Sequence, residues 1–160
     1  MTKFQHKSRI SGFTLLEVLL VVAAIAILAG IAIFAINPGK QLGEMRNGQR
    51  RADVSLIVNA LYQYFIDNPT VTVASVLPVR DVADCTLQTD TEIALCTPSG
   101  CGMNLSFLTD NQKYLVSVPA DPAGGLQPNF AGYFVYANTN NRIIACAPRA
   151  ELGATIEVTK

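Results

Sequence analysis

Apolar residues follow two unlike patterns along this chain. From Phe13 to Ile36 they run almost unbroken, 24 residues in which Glu17 is the only ionisable side chain. From Asn37 onward the composition is that of a soluble protein, and apolar positions become periodic. Val54, Ile57, Val58, Leu61 and Phe65 recur three and four residues apart, which predicts an amphipathic helix over 53–67 with one face to be covered. Short runs rich in β-branched and aromatic residues at 114–118, 133–136, 143–147 and 156–159 predict strands that supply the cover.

The punctuation between these runs supports the same division. Pro38 lacks an N–H and disfavours helix at Asn37, so Asn37-Pro38-Gly39 predicts a helix break, and Gly43 and Gly48 weaken the turns that follow. Asn68-Pro69 closes the amphipathic helix. Residues 69–112 read as an irregular stretch rich in Thr, Asp and Cys that decorates the surface, and Ala137-Asn138-Thr139-Asn140-Asn141-Arg142 as a turn-rich connector between two strands. The expected fold is α+β: a long N-terminal hydrophobic helix over 13–67, membrane-spanning over 13–36 and broken near 37–39. It leads to a head over 68–160 whose small antiparallel sheet occupies about 113–160 and packs on the amphipathic helix.

At about 1.5 Å per residue the apolar run is about 36 Å long, more than the ~30 Å hydrocarbon core of a bilayer. A secretory signal peptide would share the basic start and the small residues near Ala29-Gly30, but its apolar stretch is only ~7–15 residues, and a carboxylate weakens it. A plain single-pass anchor fits the length and leaves Glu17 unexplained.

Gly12-Phe13-Thr14-Leu15-Leu16-Glu17, behind a short basic leader and ahead of an apolar helix, resembles the class III signal of type IV pilins and the related pseudopilins. The resemblance implies that residues 1–12 are a leader, that a prepilin peptidase in the membrane cuts between Gly12 and Phe13 on the cytoplasmic side, and that Phe13 is then N-methylated. The apolar run is retained, with Glu17 as the fifth mature residue. An ionised group in lipid costs about 2.5–3.5 kcal/mol at mid-helix and less near an end, so Glu17 needs a partner. The helix macrodipole contributes only about 0.3–1 kcal/mol. The Phe13 amine freed by cleavage on a neighbouring copy would provide more, which makes Glu17 an assembly and register determinant that pairs between subunits. In the family, a proline and glycines in the first helix let it bend or melt. Asp121-Pro122-Ala123-Gly124 and Gly132-Tyr133-Phe134-Val135-Tyr136 resemble, more loosely, the Asp-Pro turn and Gly-Tyr strand of many pseudopilins and small pilins. Some relatives hold calcium near such a loop. Here Asp121, Gln127 and Asn129 offer too few carboxylates for a metal site.

The net charge of zero hides an asymmetry. Lys3, Lys7 and Arg9 precede the span, leaving nine basic against twelve acidic side chains in the other 148 residues. The mildly acidic body gives direct nucleic-acid binding no electrostatic support. Basic residues flank both ends of the span, with Lys40, Arg46, Arg50 and Arg51 after it, so charge alone barely sets orientation. Four cysteines in the head, Cys85, Cys96, Cys101 and Cys146, suit an oxidising compartment and therefore a head outside the cytoplasm. They permit three pairings; the closeness of the first three suggests one bridge within the irregular stretch and another to the Cys146 strand. None is spaced C-x-x-C, which disfavours a zinc site, although free thiols remain a third state.

The sole histidine, His6, lies in the leader, so the mature chain has no imidazole base for a nucleophile triad. Asp81 with Asp84 and Asp90 with Glu92 read as solvated loop carboxylates, and Pro98-Ser99-Gly100-Cys101-Gly102 lacks the lysine of a phosphate loop. The expected protein is no enzyme and takes no cofactor. It is a pilus subunit for adhesion, motility or DNA uptake, with a secretion-type pseudopilin as the alternative and a monomeric membrane-tethered sensor or binding module as the alternative of another class. Its expected partners are the prepilin peptidase, an assembly platform in the membrane, membrane lipid before assembly, and other copies and minor pilins in a helical filament. It would first sit in the cytoplasmic membrane with its head outside, then in a filament at the cell surface.

Overall fold

The computed structural model describes residues 12–80, 85, 92–94, 103–124 and 129–160. Residues up to Gln41 and residues from Leu42 onward form two compact units. In the first, helix α1 runs Leu15–Ile36, all of it apolar except Glu17, and none of its residues is buried. At about 1.5 Å per residue it is about 33 Å long, and by length and composition it can cross a membrane. Asn37 ends it in a left-handed conformation, with φ 49° and ψ 76°. Helix α2, Pro38–Asp67, begins at the next residue. Asn37 serves both helices: its side-chain Oδ1 accepts from the Lys40 N–H at 3.3 Å while its carbonyl accepts from Lys40 and Gln41. Proline at the first helical position loses nothing, because that N–H has no intrahelical acceptor anyway.

Helix α2 starts fifteen residues earlier than the periodic stripe predicts, and Gly43 and Gly48 lie inside it. Packing outweighs their weak helix propensity at Gly43, where the 151–152 loop comes so close that a Cβ would stand 3.2 Å from the Leu152 side chain. In the second unit Val54, Ile57, Val58 and Leu61 are fully buried, each contributing roughly 1.5–3 kcal/mol. Phe65 at the end of the stripe is only partly buried. The helix stops where expected, at Asp67, and the Asn68 side chain returns to the Tyr64 carbonyl at 2.8 Å. A single turn, α3, Val73–Val76, follows.

Opposite the stripe lies a five-stranded sheet in the order β2-β1-β3-β4-β5. Strands β3 (Phe130–Ala137), β4 (Ile143–Cys146) and β5 (Glu157–Thr159) form an antiparallel trio. The connector between β3 and β4 is a tight turn: Asn138 Oδ1 accepts from the N–H groups of Asn140 and Arg142, and Asn141 takes the left-handed backbone that asparagine tolerates. Strand β1 (Glu92–Ala94) adds antiparallel to β3, and β2 (Met103–Asn104) adds parallel to β1. The α+β class therefore stands, with one parallel pair at the edge.

Two expectations need correction. Residues 114–118 form no strand. Two 3-10 turns precede them, with left-handed Asn111 and Gln112, and Tyr114 turns instead to the end of α2. There its ring meets Tyr64 edge-on at 5.7 Å and its hydroxyl donates to Asp67 at 3.1 Å. The stretch 69–112 is not all decoration, because β1 and β2 extend the sheet from within it. The sheet is covered on both faces. Tyr133, Val135, Ile143 and Ala145 join the core under α2, while Phe134, Tyr136, Ile144 and Cys146 bury themselves in a second cluster on the other face. Such near-continuous apolar strands are the mark of a sheet buried on both sides.

Candidate functional site

Gly12, Phe13 and Thr14 are exposed and precede the first turn of α1. Thr14 caps that turn with φ −80° and ψ 151°; its Oγ1 accepts from the Glu17 N–H at 3.2 Å and its carbonyl from Glu17 and Val18. Glu17 is therefore the third residue of the helix. Thr14-Leu15-Leu16-Glu17 has the spacing of a capping box, a signal in the sequence that the membrane argument passed over. Long side chains at that position lean toward the helix start, so Glu17 projects toward the N-terminal side of the helix where Phe13 lies, 82% exposed. An exposed backbone at Gly12-Phe13 and an acid one turn further on are thus brought to one helix end.

Pro38 and Gly39 occupy the first turn of α2, directly after the left-handed Asn37. Cys85 and Cys146 form a disulfide that closes a separation of 61 residues and fastens the second cluster of the sheet. Cys96 and Cys101 lie outside the described residues, as do His6, Asp81, Asp84, Asp90, Gln127 and the 98–102 stretch. Glu92 is described by its backbone alone.

The head holds a polar cluster that the sequence reading missed. Arg50 is fully buried, and its Nε and Nη2 grip both oxygens of the equally buried Asp121 at 2.6 and 3.0 Å. Its Nη1 donates to Glu151 at 3.0 Å and to Asn47 Oδ1 at 3.1 Å. Arg46 forks onto Glu151 at 2.7 and 2.6 Å. The hydrogen bonds from Arg46 and then Arg50 hold the Glu151 carboxyl down at about 2, against an ordinary 4.5. The hydrogen bond to Asp121 raises Arg50 further above its already high value, against the opposing effect of burial. Tyr133 donates to Asp53 at 2.6 Å, and burial, aided by that bond, pushes its phenol well above the ordinary range.

Asp121 also accepts from the Ala123 N–H at 2.7 Å, which shapes the turn. Gly132, with φ 80°, passes so close that a Cβ would stand 2.7 Å from the Asp121 Cβ. The Asp-Pro turn and the Gly-Tyr strand are thus one packed unit. With both Asp121 oxygens committed to Arg50, this loop offers no vacant carboxylate, and among the described residues no three His, Cys, Asp or Glu side chains converge as a metal would require. The cluster binds α2 to the 121–124 and 147–152 loops, and its groups are spent on one another.

The family model described as the prokaryotic N-terminal methylation motif matches residues 7–33. No curated protein and no solved structure matches the chain. Residues 7–33 carry the class III prepilin signal, and together with the apolar helix that follows they support a type IV pilin-like or pseudopilin protein.

Proposed function

We propose that the chain is a structural subunit of a type IV pilus, cut after Gly12 by a prepilin peptidase, methylated at Phe13 and polymerised through α1. The observation that carries this reading is the methylation motif joined to a helix with no buried residue. Among the described residues such a helix has no side chain covered. Lipid covers it before assembly, and the same helices of neighbouring copies cover it afterwards. Glu17 would be the one group unsuited to both surroundings until the freed Phe13 amine of an adjoining copy meets it. Its lean toward the helix start also brings its own chain's amine into competition, so the register between copies decides which amine it takes.

The motif favours a structural over a catalytic protein. Adhesion, motility or DNA uptake by a surface filament is the role proposed, with a secretion-type pseudopilus as the second reading, since the signal serves both. Mass spectrometry of the protein from its native membrane should find an N-terminus at Phe13, one methyl group heavier than the unmodified peptide. An unprocessed Met1 terminus in surface material would sink the proposal and favour a tethered module. Recovery of the chain in sheared surface fibres would separate a pilus from a short pseudopilus.

A further inference from the structure

We propose that Asn104 is an acceptor for an N-linked sugar chain, attached through its side-chain nitrogen once the head has left the cytoplasm. Asn104-Leu105-Ser106 is the only Asn-x-Ser or Asn-x-Thr triplet in the sequence without a central proline, since Asn68-Pro69-Thr70 has one. Such triplets are the acceptors of N-linked glycans in exported proteins. They also arise by chance, and three features of the structure set this one apart. The Ser106 N–H donates to Asn104 Oδ1 at 2.8 Å, a turn closed by the asparagine side chain. That bond draws electron density toward the amide oxygen, which makes the Nδ2 protons easier to remove and the nitrogen a better nucleophile. Among the described residues neither Asn104 Nδ2 nor the Ser106 hydroxyl has a hydrogen-bond partner, so a sugar on the nitrogen breaks no bond of the fold. Finally, Asn104 ends β2, the outer strand of the sheet, where a bulky hydrophilic chain guards the edge against pairing with a strand of another molecule.

Leu105, between the two polar residues, is fully buried in the core under α2, while Asn104 is half-buried and Ser106 exposed. A transferase that grips the whole triplet therefore acts before Leu105 is buried. The turn spans three residues and can form without the rest of the head. The Cys85–Cys146 disulfide fits an oxidising compartment outside the cytoplasm, the same side on which this transfer takes place. The donor is a sugar chain joined through its anomeric carbon to a lipid diphosphate. Asn104 Nδ2 forms a bond to that carbon, and the bond from the carbon to the phosphate oxygen breaks with its electron pair leaving on the lipid diphosphate. One amide proton passes to a base of the transferase, and nothing is oxidised or reduced.

The inference rests on export of the head and not on which filament the chain serves. Reduction and trypsin free residues 81–113 as one peptide, because no Lys or Arg lies between Arg80 and Lys113. In the full chain from its native membrane this peptide should carry the added mass of a sugar chain, release sugar fragment ions, and keep the addition on Asn104 in electron-transfer fragmentation. Asn104→Asp retains an oxygen for the Ser106 N–H, so the head should stay folded while the added mass disappears. Ser106→Thr should keep the addition and Ser106→Ala should lose it. A bare Asn104 in chains from the native membrane would overturn the proposal, as would an addition that survives Asn104→Asp. Release of the sugar by mild alkali, which marks a link to a hydroxyl, would overturn it too. The N-terminal peptide of the same digest reports processing separately: a sugar on Asn104 beside an intact Met1 terminus would sink the pilus reading and leave this one standing.

Discussion

Helix α1 sets out 22 residues without burying one of them, whereas the head hides an arginine completely. A protein that meets only water would do the reverse, with apolar side chains inside and guanidinium groups outside. The two regions differ in where their partners come from. Arg50 is satisfied by Asp121, Glu151 and Asn47 of its own chain, so the charge buried in the head is balanced within it. Among the described residues the apolar side chains of α1 are all exposed and have no such partners. Sequence that buries a charge among its own partners and sequence that leaves a whole apolar helix exposed stand side by side in 160 residues.

The largest expected effect breaks the exposed helix. Glu17→Ala should leave insertion of α1 intact or improve it, since a carboxylate near the end of a span is unfavourable by less than the roughly 2.5–3.5 kcal/mol assigned at its centre. Filaments should be lost altogether. Electron microscopy of cells carrying the variant checks this, and normal fibres would show that Glu17 serves only the cap of its own helix.

Next comes a break in the head. Arg50→Ala strands Asp121 in the interior and should destabilise the head by about 3–5 kcal/mol, as removal of one partner of a buried ion pair does. Arg50→Met with Asp121→Leu should recover part of that loss, though not all, because Asp121 also shapes its own turn through Ala123. Denaturant unfolding of the full chain in detergent micelles measures both. A loss below about 1 kcal/mol for the single variant would mean that water reaches Asp121.

The same contrast explains what was legible in the sequence. The signal, the span and the stripe from Val54 to Leu61 could be read because each is local: a motif, a length, a period. The turn at Asn138–Arg142 and the end of α2 at Asn68-Pro69 were readable for the same reason. Arg50 stands four residues before Val54 and Asn47 seven before it, both on the buried face, yet charge counting assigned Arg50 to the flank of the span. Its place depends on Asp121 and Glu151, which are 71 and 101 residues away. Tyr114 has a strand former's side chain, but two left-handed residues before it and Tyr64 across from it decide its course. Strand β1 was hidden in a polar stretch because it is only three residues long, too few to set a period, and its register with β3 shifts within them.

The smallest expected effect sharpens the comparison by titrating the head alone. Glu151 has its carboxyl lowered from 4.5 to about 2, first by the hydrogen bond from Arg46 and then by that from Arg50. A group with a depressed folded value binds fewer protons folded than unfolded, so its contribution is fully present above pH 4.5 and is lost as pH falls from there through about 2. Asp67, lowered chiefly by the hydrogen bond from Lys113 and then by those from Gln63 and Tyr114, acts in the same direction. The effect is modest because both carboxylates are partly open to water, which screens them. Unfolding of the full chain in micelles at a series of pH values should therefore show stability declining across that acidic interval. Arg46→Met removes the largest cause of the Glu151 shift and should flatten the decline without touching α1. An unaltered acid slope in that variant would mean that Arg50 alone holds the carboxylate, leaving Arg46 to the exposed rim.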